Sequence, residues 1–368
     1  MSQKHWLTLA SAAWFALALG GCATLPDAQE LRAAPFVYKT LPGAATVEDG
    51  RGEFREVFCD ELHTDGLVTD ANADCSDLLW LLPDEPVASR ASVPLTWNPD
   101  ALAVFLVTGA FAECAGDAAL PYIAGAERLR SDGALVEHIV VSGRSGTASN
   151  ARQIAEAIER AQVPEERQII IVGFSKGSLD TLRFLTDFPA VAGTIDAMIS
   201  VAGPIYGSPL ADKAKGTYAA LLDKAPYDKC PPGDGGVLES LSPATATEWL
   251  ATNALPPEVR YYSITGFTTR KHVARLLVPA WKILNKTDLR NDGQVFAADA
   301  VIPGATLLGL ANADHWGIAE TIESVRTFLA GRPDPRPFPL EQLFVAMMRF
   351  VSHDLRDEGS ARARLAER

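Results

Sequence analysis

Residues 168–185 read QIIIVGFSKGSLDTLRFL, and they set Ser175 between Gly173 and Gly177, after a β-branched run and ahead of a helical pattern. A serine hydroxyl attacks a carbonyl only when a neighbouring base takes its proton, and that base needs an acid to hold it in the right tautomer. The motif alone is weak, with a chance of ~0.1 of arising somewhere in a chain with 28 glycines. Its setting is stronger. Residues 168–172 predict a strand, and Leu179, Leu182, Leu185 and Phe188 recur at intervals of three, as on one face of a helix. A strand–turn–helix of this kind bends sharply at the serine, and the flanking glycines let neighbouring backbone approach. The stretch GRSGT at 143–147 lacks the second glycine of the motif, so Ser145 reads as a loop residue.

Six histidines could supply the base. His5 lies in an apolar leader, and His63 and His138 precede the serine, against the order Ser, Asp/Glu, His expected for such a turn. His272 stands beside Arg270 and Lys271, whose charge disfavours its taking a proton, and His353 falls in a C-terminal helical pattern. His315, in NADHWGIAE after the last apolar run, sits where a loop at the sheet edge should begin. For the acid, Asp288, Asp292, Asp299 and Asp314 are the candidates between the serine's helix and that loop. Asp314 adjoins His315, and neighbours on an extended segment point to opposite sides.

These residues need a scaffold that brings them to one edge, and the chain supplies the pattern of one. From Leu102 onward apolar runs alternate with helical stretches, which predicts an α/β fold with a mostly parallel central sheet flanked by helices. LAVFLVTGAF, VEHIVVSG, QIIIVGF, TIDAMISVAGP, VRYYSITGF and ATLLGLANADHW are six expected strands. Between them SNARQIAEAIERAQVP predicts a helix capped by Ser149, with Ile154, Ile158 and Ala161 on one face and Pro164 as its stop. Pro/Gly-rich residues 204–258 interrupt the rhythm as a lid or cap insertion. The expected organisation is a signal peptide at 1–21, an N-terminal extension at 22–100 packed on the sheet, the core domain at 101–330, and a C-terminal linker and helix at 331–368. In that last helix Leu340, Leu343, Phe344, Met347, Val351 and Leu355 fall at docking intervals.

The Asp292–Gly293 turn, the Asp314–His315 pair and SVAGPIYGSPLAD together resemble the α/β-hydrolases, most closely in pattern the bacterial lipases and esterases, over about residues 102–330. The resemblance implies that Asp292 completes a triad with Ser175 and His315, with Asp288 as the fallback. It implies hydrolysis of a carboxylic ester or lipid through an acyl-enzyme, with no cofactor and no assigned metal ligands. An oxyanion hole needs two backbone N–H groups. One falls to Lys176, after the nucleophile. The other comes from the turn VTGAF, where Thr108 stands in place of the family's histidine and Ala110 occupies the donor position, with Phe111 as the alternative. The side chain of Lys176 is a separate question, because a cation at a helix N-terminus opposes the macrodipole. It is either a surface lysine paired with Asp180 or a contact for an anionic group of the substrate.

Composition bounds the rest. With 48% hydrophobic residues the chain can bury a full core, and its net charge of −13 disfavours nucleic acid as a partner, since that binding needs clustered Lys/Arg. Residues 1–22 have a basic start, an apolar run too short to span a bilayer, and Leu19-Gly20-Gly21-Cys22, which resembles a lipoprotein signal with Cys22 acylated. The expectation is a bacterial cell-envelope protein held by a lipid anchor on the outer-membrane or periplasmic side; nothing in the sequence sets an oligomeric state. Cys59, Cys75, Cys114 and Cys230 then form an even set in an oxidising compartment. The short loop favours Cys59 with Cys75, and the topology favours Cys114, past the oxyanion turn, with Cys230 in the insertion.

Overall fold

The computed structural model describes residues 27–67, 75–88, 98–214, 231–320 and 338–366. Seven strands form one sheet: β1 (Glu48–Asp49), β2 (Leu102–Val107), β3 (Leu135–Ile139), β4 (Gln168–Phe174), β5 (Ala197–Val201), β6 (Arg260–Gly266) and β7 (Thr306–Ala311). Their order is β1-β7-β6-β5-β4-β2-β3, and every pair is parallel. Parallel strands covered on both faces must be apolar throughout. β2, β5 and β7 are accordingly buried at every residue.

The pleat divides β2 between two cores. Leu102, Val104 and Leu106 join one, and Ala103, Phe105 and Val107 join the other. On the first face pack helices α1 (Arg51–Thr64), α2 (Ile123–Ser131) and α6 (Leu340–Ala366); on the second lie α3 (Thr147–Ala161) and α4 (Lys176–Asp187). Helix α5 (Pro243–Thr252) falls within the insertion.

Helix α6 docks through Leu343, Phe344, Met347 and Val351, all fully buried, each such side chain contributing roughly 1.5–3 kcal/mol. Gly125 of α2 admits Phe344, since a Cβ there would stand 2.7 Å from its ring. Arg128 of α2 pairs with Asp65 and Glu341, and Arg349 of α6 pairs with Glu61 and Asp60, so the three helices are also tied by charge.

Three local expectations change. Helix α3 begins at Thr147 with Gly146 as its N-cap, so Ser149 lies inside the first turn rather than capping it. Its end comes at Ala161, where Gln162 turns left-handed ahead of Pro164. Residues 22–100 contain a full helix, α1, and an edge strand, β1, which pairs with β7. Residues 204–258 are irregular only in part, because α5 and the short helix Val237–Ser240 lie within them; residues 215–230 lie outside the described ones. Cys59 and Cys75 are joined, with Cα atoms 5.8 Å apart. Cys114 is also disulfide-bonded, while Cys22 and Cys230 lie outside the described residues.

Candidate active site

The chain runs from β2 to β3 on one side and then returns to β4 on the other, so a crevice opens at the C-terminal ends of β2 and β4, where open α/β sheets place their ligands. Ser175 follows β4 directly. Its φ of 53° and ψ of −128° are a conformation that costs a non-glycine residue on the order of 1–3 kcal/mol and persists only where surrounding structure enforces it. The enforcement is visible at the glycines. A Cβ on Gly177 would lie 2.6 Å from the Thr108 carbonyl oxygen and 2.7 Å from that of Val107, and one on Gly173 would lie 2.6 Å from Ser178 Cα. The turn is therefore wedged between the end of β2 and the start of its own helix. Ser175 N–H donates to the Val201 carbonyl at 2.9 Å, fixing it to β5 as well.

His315 arrives on the loop after β7. Its Nε2 is 2.8 Å from Ser175 Oγ, and its Nδ1 is 2.7 Å from Asp292 Oδ2. Asp292 comes from the β6–β7 connection, in a tight turn that Gly293 allows at φ 95°. The other carboxylate oxygen of Asp292 accepts from Gln294 N–H at 2.8 Å and Val295 N–H at 2.7 Å. His315 N–H in turn donates to the Asp292 carbonyl at 2.8 Å. The acid thus orients the imidazole through both side chain and backbone, and Phe174 packs against the ring with centroids 5.4 Å apart. Asp288 and Asp314 are engaged elsewhere: Asp288 accepts from Arg290 N–H, and Asp314 from Ala274 and Gly317 N–H.

The turn after β2 lies against the serine, and a Cβ on Gly109 would come within 3.1 Å of Ser175 Cβ. Of the two amides open to the sequence reading, Phe111 N–H donates to the Gly143 carbonyl at 3.3 Å, and both Ala110 and Phe111 line the cavity. Lys176 is the first residue of α4, and the N-terminal amides of a helix have no intrahelical acceptor. Thr108, in the histidine's place, is buried and accepts from Val141 N–H at 3.4 Å.

The side chain of Lys176 answers to neither a surface pairing nor a substrate contact. It does pair with Asp180, at 2.6 Å, but both side chains are buried, and Asn150 Nδ2 donates to the second oxygen of Asp180 at 2.8 Å. Burial pushes the Asp180 carboxyl up, against the opposing pull of Lys176 and Asn150. Lys176 does not line the cavity.

That cavity, about 430 Å³, opens beside Ser175 and His315, within the usual range for small-molecule sites. Pro204, Leu210, Leu238 and Leu241 of the insertion form one wall, and Ala119, Trp316 and Glu320 belong to its lining as well. None of these wall residues was singled out from sequence. Leu238 and Leu241 sit in a segment without clear periodicity, and a carboxyl at 320 carries no local signal of burial. Among the described residues no three His, Cys, Asp or Glu side chains gather as a group able to hold a metal ion, and no helix is long and apolar enough to cross a membrane.

A parallel sheet with a serine on the turn after β4, an aspartate after β6 and a histidine after β7 defines the α/β-hydrolase class. No protein-family model and no curated protein sequence matches the chain. Among solved structures, the metagenomic carboxyl esterase MGS0156 is 35% identical, aligned over 87% of this chain and 97% of that one, with a TM-score of 0.78. The mature form of Bacillus licheniformis lipase BlEst2 is 20% identical over 62% and 89%, TM-score 0.47, and lipase 1 from Pelosinus fermentans 14% identical over 64% and 99%, TM-score 0.44. On the first of these the chain belongs to the carboxyl esterases of the α/β-hydrolase family, and it is a carboxylic ester hydrolase.

Proposed function

We propose that the protein hydrolyses carboxylic esters by a Ser175–His315–Asp292 triad through an acyl-enzyme. The observation that carries this is the unbroken line Asp292 Oδ2, His315 Nδ1, His315 Nε2, Ser175 Oγ, with both links under 3 Å. His315 takes the serine proton as Ser175 Oγ attacks the ester carbonyl, and Asp292 stabilises the imidazolium that forms. The N–H groups of Lys176 and Ala110 hold the developing oxyanion. His315 Nε2 then gives its proton to the departing alcohol, and water, deprotonated by the same nitrogen, releases the acid.

The apolar cavity supports neutral acyl groups, lipid esters among them. The setting we propose is the bacterial cell envelope on the outer-membrane or periplasmic side, held by a lipid anchor at Cys22; the Leu19-Gly20-Gly21-Cys22 motif and the Cys59–Cys75 disulfide are what an oxidising, envelope location would require. Labelling by a fluorophosphonate probe, present in the wild-type protein and abolished by Ser175→Ala, tests the nucleophile. Unlabelled folded protein would remove the proposal. Incorporation of labelled palmitate that is lost in Cys22→Ser tests the anchor.

A further inference from the structure

Of the described residues lining the cavity beside Ser175, only Glu320 carries a carboxyl. Its backbone is fixed by the bond from its N–H to the Trp316 carbonyl, 2.8 Å, and by a bridge to Pro121. Among the described residues nothing donates to or pairs with its side chain. Burial, with a smaller contribution from the charge of Asp314, pushes this carboxyl up to about 8. At neutral pH the wall therefore presents a protonated acid, a hydrogen-bond donor and acceptor, amid largely apolar neighbours. A ligand that covers this carboxyl without offering it a partner leaves it unmatched, so a ligand that supplies the partner gains over one that does not.

The side of the reaction it serves follows from proton transfer. The leaving oxygen takes its proton from His315 Nε2, so the alcohol portion of the ester lies on the histidine's side of Ser175. Trp316 and Glu320 stand on that same loop. We infer that Glu320 is a specificity-determining residue that selects esters of diols and polyols, by a hydrogen bond to a free hydroxyl of the alcohol portion. This rests on the reading of Ser175 as the nucleophile.

Two butyrate esters test it: propyl and 2-hydroxyethyl. The expected result is that the ratio of kcat/KM for hydroxyethyl over propyl butyrate falls about tenfold in Glu320→Leu and stays within about threefold of wild type in Glu320→Gln. Each ratio is taken within one preparation, so loss of folded protein does not move it. An unchanged ratio in Glu320→Leu, with propyl butyrate still hydrolysed by the wild type, overturns this inference alone. Wild-type protein that neither hydrolyses propyl butyrate nor takes the fluorophosphonate label removes the Ser175 reading, and this inference with it.

Discussion

Lys176 Nζ lies 2.6 Å from Asp180 Oδ1 with each side chain 1% exposed, so the cation that follows Ser175 is held inside the protein. The pair spans the first turn of the helix after Ser175 and reaches α3 through Asn150. Breaking such a pair leaves one member without compensation, which typically costs 3–5 kcal/mol, whereas replacing both by apolar groups of similar size is often close to neutral. Lys176→Ala is therefore expected to lower unfolding free energy by about 3–5 kcal/mol in urea titrations. The double variant Lys176→Met/Asp180→Leu should recover most of that loss, and equal loss in single and double variants would argue against a buried ion pair.

The proposed triad predicts a graded series. Ser175→Ala and His315→Ala should each lower kcat on p-nitrophenyl butyrate by about 10⁴–10⁶, and Asp292→Asn by about 10³–10⁴. The double variant Ser175→Ala/His315→Ala should be little worse than either single one, because the residues act as a unit. Additive losses would mean that the two side chains act independently. Unchanged circular dichroism keeps the comparison to chemistry.

Gly177→Ala should fail for a geometric reason. The added Cβ meets two backbone carbonyl oxygens, of Val107 and Thr108, and neither can move without shifting the strand end that leads to the oxyanion turn. A loss of stability of about 1–3 kcal/mol is expected, as for other overpacking changes, together with a fall in kcat larger than the change in KM. A variant with wild-type melting and kinetics would show that the turn is looser than its contacts imply.

Glu320 links stability to pH. Its folded-state pKa, about 8, lies above the unfolded value of about 4.3, so its contribution is fully present below the unfolded pKa and is lost as pH rises through the folded one. Thermal melts between pH 4 and pH 9 should show the wild-type Tm falling relative to that of Glu320→Gln across this window and levelling above it. Parallel curves would mean that the carboxyl titrates alike in both states.

What was legible in the sequence follows the physics of burial. β2, β4, β5 and β7 are nearly continuous apolar runs because the sheet is covered on both faces, and such runs declare themselves, while β6, RYYSITG, mixes polar residues into its pattern. That Ser175 and His315 meet is legible from residue order and from their places after those runs, and that Asp292 joins them through family likeness, its turn being one of several acidic sites by composition alone. β1 is two acidic residues, so no hydrophobic period marks it. Lys176 read as a surface or substrate-facing residue because a lysine carries no mark of burial; only the approach of α3, through Asn150, closes it off. Ser149 has the side chain of a cap, yet the chain enters the helix at Gly146, whose backbone lies so near Gly236 that a Cβ on Gly236 would come within 3.0 Å of it.

β1 ends the sheet beside β7, the strand whose following loop holds His315, and its two residues, Glu48 and Asp49, are both exposed acids. An open sheet edge is a template on which another chain can add a strand, and very short, charged edges discourage it. The β1 edge thus guards β7 against polymerisation, a hazard that would grow wherever many copies were crowded onto one surface. Replacing Glu48 and Asp49 with Val and Thr would lengthen the apolar edge and invite assembly into β-rich aggregates.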